Sequence, residues 1–512
     1  MTDLGGLSGN VCCVAARDNA SPSVVLGRPD TFGYRGSLPP SLARFSRPAF
    51  PPTLPDSPLV KQSAAWMARA VRAREVSAVE LLDAHAARIE ARNAEINAIV
   101  LPRLDAAREE ARAADAVVAR GDPLGPLHGV PFTAKEVIAV AGMPTTNGSR
   151  LLAGRVAKED ALVIQRMRSA GAILLGKTNL SEFSAFWDSV NLVYGTTRNP
   201  HDGTRTAGGS SGGEAAAIAA AMSPLGIGTD LAGSIRAPAH WTGVFGLRCG
   251  RDAIPFPPHD PWPSAAGMQM FGSAGPMARH AEDLELMLAV LAERRLGPAP
   301  VEQVAVFEED GLQPVSLVCR EAVRRAAAAL AATGMELVDD RLPRAADLRA
   351  AFDTILNHEI ATAFGPLVTG REGDLTPYVA EAVEASRGFE MSFEAYVEAF
   401  QKVAEIDAAA TAWFERNSVA LCPVAPDVAP PVGTFTFPPV DGEPTRPGGK
   451  LSLCTYANAL GLPALAVPVM RSDSGLPVGV QLIGRRGEER TLIALARRLE
   501  EALGGWLDPD AS

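Results

Sequence analysis

Two serine-bearing, glycine-rich segments and a single lysine carry the chemistry this sequence could do. The first segment, GGSSGGEAAAIAAA, runs from Gly208 to Ala221 and leads a Gly/Ser loop into an alanine-rich helix. The second, SPLGIGTDLAGSIRAPA, runs from Ser223 to Ala239 and places Ser234 near the start of another helix. Two such loops joined by a small-residue helix can converge on one place. A serine nucleophile there would find backbone amides in a Gly-rich turn and at a helix N-terminus, which are donors suited to a developing oxyanion.

A serine nucleophile also needs a base. The later histidines His240, His259, His280 and His358 sit in no telling context. The GGSSG match to the nucleophile-elbow pattern lacks a preceding strand, because NPHDGTRTA is polar and turn-rich. A buried neutral lysine is the substitute, since burial lowers the lysine pKa. Of 48 cationic residues only Lys61, Lys135, Lys158, Lys177, Lys402 and Lys450 are lysine. None of them has a serine three residues before it, so the SxxK arrangement is excluded. Lys135, in LHGVPFTAKEVIAV, follows a Gly-Val-Pro turn among apolar residues and reads as part of a buried strand. The plainer alternative is a lysine paired with Glu136. Lys177 lies in GAILLGKT, Gly171 to Thr178, which fits the phosphate-loop pattern letter for letter. Its central Ala-Ile-Leu-Leu reads as a strand rather than a phosphate-wrapping loop. A nucleotide-binding protein therefore stands as an alternative from another class.

At these residues the sequence resembles the amidase signature family. The resemblance runs in order through GVPFTAKE, LLGKTNLSEF, YGTTRNP, GGSSGGEAAAIAAAMSPLGIGTDLAGSIRAPA, GVFGL, GPMAR and GLPVGVQLIG, and covers about residues 61 to 505. It implies a Ser–cis-Ser–Lys triad, with Lys135 as base, Ser210 as bridging serine after a cis Gly209–Ser210 bond, and Ser234 as nucleophile. It implies an oxyanion hole from the backbone amides of Leu231, Ala232, Gly233 and Ser234. Ser211 is expected to support the relay by hydrogen bonding, and Asp230 with Arg236 to hold the nucleophile loop, unless that pair is an ordinary surface salt bridge. The activity implied is hydrolysis of an amide to acid plus amine or ammonia, with no cofactor and no metal. The wording GGSSGGE and GTD resembles stand-alone, fatty-acid-amide-hydrolase-like members more than the glutaminase subunit of a tRNA-dependent amidotransferase, which is the alternative within the family. Two departures stand out. Ala232 replaces the first of two glycines before the nucleophile, and costs about 1 kcal/mol if that position needs positive φ. GLRCG, Gly246 to Gly250, replaces a GLKPT-like segment.

The elements that must position these residues are legible as patterns. Ser77 and Glu80 form a capping box opening a helix with Leu82, Ala86 and Ile89 on one face. LDAAREEARAADAVVAR is a second helix, and Asp160 can cap a third that carries Val163, Met167 and Ala170 and stops at Gly171. Strand-like runs occur at 172–175, 243–247, 315–319, 419–422, 465–469 and 478–484, with helical stretches such as 321–334 between them. Strands bounded by helices predict an α/β fold, a central mixed sheet covered by helices on both faces. Pro-rich stretches 254–263 and 423–447 read as surface loops. The family resemblance implies pocket walls from parts of 183–195, 254–270 and 423–457.

Composition bounds the rest. The chain has 512 residues, 47% hydrophobic and 21% charged, which suits a globular protein with a large core. Residues 1 to 60 contain nine prolines and no sustained period, and are expected to be a disordered extension to an amidase domain at 61–512. The net charge of −11 disfavours nucleic-acid binding, which needs clustered cations. Six cysteines without CxxC spacing suggest neither a disulfide framework nor a zinc knuckle. No run reads as a signal peptide or membrane span. The expectation is a cytoplasmic enzyme acting on a small-molecule amide, with a homodimer as the candidate assembly.

Overall fold

The computed structural model describes residues 56–256, 265–292, 297–387, 391–434, 436–445 and 451–511. Most of the expected N-terminal extension lies outside these residues. Packed chain begins before Lys61, because Pro58–Lys61 is a short 3-10 helix with Val60 buried.

The strands, in chain order, are β1 (Ile99–Pro102), β2 (Pro131–Lys135), β3 (Ile173–Thr178), β4 (Val190–Asn191), β5 (Gly195–Thr196), β6 (Leu225–Asp230), β7 (Phe245–Arg248), β8 (Ser273–Ala278), β9 (Gln303–Val306), β10 (Glu336–Asp339), β11 (Val419–Pro423), β12 (Ala464–Arg471) and β13 (Pro477–Gly484). β4 and β5 form a small hairpin; the rest form an 11-stranded sheet in the order β1-β3-β2-β6-β8-β7-β12-β13-β11-β9-β10. β2 is parallel to both β3 and β6, whereas β6 is antiparallel to β8, so the sheet is mixed. This is the expected α/β architecture.

Alternation along the strands serves two layers of helices. In β3, Ile173 and Leu175 pack with Leu82, Ile89 and Ala216, while Leu174 joins the larger cluster with Met167 and Leu284. In β12, Ala466 packs with Ala239, and Val467 joins the cluster that contains Leu492. Strands covered on both faces read as nearly continuous apolar runs, and β2, β6 and β13 are buried throughout.

The Ser77 capping box forms with both reciprocal bonds, opening the helix Ala78–Ile96, and the second helix spans Leu104–Arg120. Asp160 does not cap the third helix, Leu162–Ser169. Its carboxylate instead accepts the Ala141 amide at 2.8 Å and pairs with Arg168. The run at 315–319 is not a strand. Ser316 caps the helix Leu317–Ala332, accepting the Cys319 amide, so this short apolar run belongs to a helix start. The stretch at 423–447 is only partly surface, since Val424, Ala425, Ala429 and Val440 are buried. Residues 257–264 of the other Pro-rich stretch lie outside the described residues. Among the described residues no helix is long and apolar enough to cross a membrane.

Candidate active site

The C-terminal ends of the parallel pair β2 and β6 bring the chemistry together. Lys135 is the last residue of β2, with no exposed surface. Its Nζ donates to Ser210 Oγ at 2.6 Å and to Thr229 Oγ1 at 2.9 Å. Burial pushes the ammonium down to about 7, against the opposing pull of Asp230 and Glu214. Lys135 is not paired with Glu136. That carboxylate is taken up by the Thr146 and Asn147 amides and by the hydroxyls of Thr146 and Tyr194.

Ser210 sits in the tight loop before the helix Gly212–Ala219, after a cis Gly209–Ser210 bond. Gly208 has φ +87°, and a Cβ there would lie 2.7 Å from Pro238 Cα, so this position requires glycine. Ser189 closes the loop by donating to the Gly208 carbonyl at 2.9 Å and accepting the Gly212 amide at 3.0 Å. Ser211 acts differently from the expectation. Its hydroxyl donates to the Thr229 carbonyl at 3.2 Å and accepts the Thr229 amide at 3.3 Å, so it bonds the backbone of β6 and, among the described residues, neither the Ser210 nor the Ser234 hydroxyl. Its own amide donates to the Ser234 carbonyl at 3.1 Å, tying the two loops together.

Ser234, half-buried, lies between β6 and the helix Arg236–Thr242. Asp230 organises this loop. It accepts the Gly233 amide at 2.7 Å, the Ile235 amide at 3.1 Å and the Asn458 amide group at 2.9 Å. Burial alone would raise its pKa, but Arg236 and its other donors hold it well below the usual carboxylate range. The pair with Arg236 is fully buried, not a surface salt bridge. Two expectations change here. The Gly233 amide donates to the Asp230 carboxylate and is not a free donor for an oxyanion. No hydrogen bond is donated by the amides of Leu231, Ala232 or Ser234 among the described residues. Ala232 has no positive φ, whereas Gly233 takes φ +106°, so alanine is unstrained where it stands.

Lys177 lies within β3, fully buried, and donates to the Pro144 carbonyl at 2.5 Å and to Thr145 Oγ1 at 3.0 Å. The Gly171–Thr178 match is a turn and a buried strand, with no loop to wrap a phosphate. Sequence reading missed Thr229, Glu214 and Asn458. The only local signal was that Thr229 and Asp230 form the polar end of an otherwise apolar, glycine-bearing strand.

A family model described as Amidase matches residues 80–493. The chain is 34% identical over 484 residues to a glutamyl-tRNA(Gln) amidotransferase subunit of Anaeromyxobacter sp. (strain K), covering 85% of this chain and 94% of that protein. Among solved structures it resembles 6-aminohexanoate cyclic dimer hydrolase with TM-score 0.75 and 29% identity, covering 87% of this chain and 97% of that one. It resembles a bacterial aryl acylamidase of the amidase signature enzymes with TM-score 0.77 and 25% identity, again covering 87% and 97%. The expected lean toward the stand-alone branch does not follow from these likenesses, since they include both hydrolases and part of an amidotransferase.

Proposed function

Given that the chain belongs to the amidase family and is an amide-hydrolysing enzyme, we propose that it cleaves a carboxylic acid amide through an acyl-enzyme on Ser234, with Lys135 as base and Ser210 as the relay between them. The observation that carries this is the 2.6 Å contact of a fully buried Lys135 Nζ with Ser210 Oγ. Neutral Lys135 accepts the Ser210 proton as Ser210 accepts that of Ser234. The Ser234 oxygen bonds to the amide carbon. Collapse breaks the C–N bond, and the proton returns through the relay to the leaving nitrogen. Water then hydrolyses the ester by the same route.

No hydrogen bond joins the Ser210 and Ser234 hydroxyls among the described residues, so the second hop needs the two hydroxyls to come within hydrogen-bond distance. Such contacts often tighten only with substrate bound. The amides of Leu231, Ala232 and Ser234 are the proposed oxyanion donors, each worth about 3–4 kcal/mol. Ser234→Ala should abolish hydrolysis while the fold is retained; near-full activity in a folded variant would overturn the assignment.

The likeness to the amidotransferase component supports a second reading, a glutaminase that delivers ammonia within an assembly. An amide and ester panel on the purified chain separates the two: turnover of simple amides without partners supports the stand-alone enzyme. A cytoplasmic location and a homodimer are part of the same proposal.

A further inference from the structure

Glu214 has no role in the relay, yet it is built into its floor. It stands in the first turn of the helix Gly212–Ala219, with no exposed surface. Its carboxylate accepts from Thr133 Oγ1 of β2 and, at 2.8 Å, from Thr178 Oγ1 of β3. Thr133 is two residues before Lys135 on the same strand face, and Thr178 is the residue that Lys135 faces across the β2–β3 ladder. A Cβ at Gly226 of β6 would overlap Glu214 Oε1, so β6 makes room for the carboxylate with a glycine.

The charged groups around the two residues are few. The helix that carries Glu214 offers none, β2 offers Lys135, and β6 offers Asp230, which is paired with Arg236 yet also favours the Lys135 ammonium, a pull that stays in place when Glu214 is changed. Lys177 of β3 is engaged with Pro144 and Thr145. Glu214 makes no ion pair among the described residues, so Lys135 is the cation that feels its charge.

We propose that Glu214 is a positioning residue that uses its charge to set the pH at which Lys135 becomes a base, an inference that rests on the relay reading above. Burial raises Glu214 and lowers Lys135, and the charge on each favours the charged form of the other, so the two titrate as a coupled pair. When the pair has lost one of its two protons, the remaining proton sits either on glutamate, which leaves lysine neutral and active, or on lysine, which gives an inactive ion pair. The acid limb of kcat/KM is therefore broadened and displaced to higher pH.

Glu214→Gln tests this. Glutamine fits the site, because Thr133 Oγ1 can donate to the Leu225 carbonyl at 3.3 Å instead and accept from the amide. The variant should show a single, steeper acid limb, moved to lower pH by about one unit. An unmoved limb with activity lowered equally at every pH is what a merely structural glutamate gives, and it would overturn the proposal. If Glu214→Gln does not fold, Thr178→Val decides. It removes a donor that favours the carboxylate anion, and the limb should again move down; an unmoved limb in that variant counts against Glu214. With only six lysines, 13C-labelled lysine NMR reads Lys135 directly, its signal assigned by loss in Lys135→Arg. A Lys135 titration that moves in Glu214→Gln, in a chain where Ser234→Ala remains active, would uphold the coupling and refute the relay. An unmoved titration with inactive Ser234→Ala would do the reverse.

Discussion

Arg236 and Asp230 form a two-pronged ion pair at the Ser234 loop, Nε to Oδ2 at 3.0 Å and Nη2 to Oδ1 at 3.1 Å, with neither side chain exposed. Arg236 also donates to the Cys454 carbonyl at 3.0 Å, to Gln481 Oε1 at 3.0 Å and to Asn458 Oδ1 at 2.6 Å. The loop that carries Ser234 is thereby bolted to the C-terminal part of the sheet. Asp230→Asn would leave that guanidinium buried without its counter-charge. We expect a loss of about 3–5 kcal/mol in unfolding free energy, read from urea denaturation, together with a collapse of activity. A midpoint within error of the wild type would show that the pair does not hold the loop.

The relay predicts a pH profile. Lys135 acts only when neutral, and it becomes neutral near 7, so kcat/KM should rise as pH climbs through about 7 and then level. Lys135→Met should be crippled near neutral pH and lack that rise.

The same lysine links folding to pH. Its folded pKa, about 7, lies below its unfolded value of about 10.4, so between these values the unfolded chain binds more protons and stability rises with pH. The unfolding free energy of the wild type relative to Lys135→Met should therefore increase from about pH 7 to about pH 9, by up to about 1.4 kcal/mol per unit. A constant difference would mean the lysine keeps its proton in the folded state.

Gly226→Ala would drive a methyl group into Glu214 between packed strands. Overpacking of this kind costs about 1–3 kcal/mol, which a lowered Tm would report. An unchanged Tm would mean the Glu214 carboxylate moves aside freely.

Lys177 gives the complementary negative. Its ammonium is spent on Pro144 and Thr145 inside the sheet. ATP or GTP with magnesium should leave the Tm unchanged, and a shift lost on Lys177→Ala would revive the phosphate-loop reading.

Local pattern was enough to place the helix starts and most of the strands. The Ser77–Glu80 box and the apolar runs at β3, β12 and β13 are local patterns with local causes. Where two local signals competed, at 315–319, the cap residue Ser316 outweighed the apolar run. The resemblance named Lys135, Ser210 and Ser234, and the structure brings Lys135 and Ser210 into contact across 75 residues of chain. Burial does not separate Lys135, the proposed base, from Lys177, because both are buried near the C-terminal ends of neighbouring parallel strands. What separates them is what their ammonium groups meet, a pair of hydroxyls for one, a carbonyl and a hydroxyl for the other. The same holds for the loop amides. GTDLAGS does not say that the Asp230 carboxylate folds back onto the Gly233 amide, nor that Asn458 arrives from more than 200 residues away. Hydrogen bonds of that kind depend on long-range packing, and packing is what a single sequence leaves unwritten.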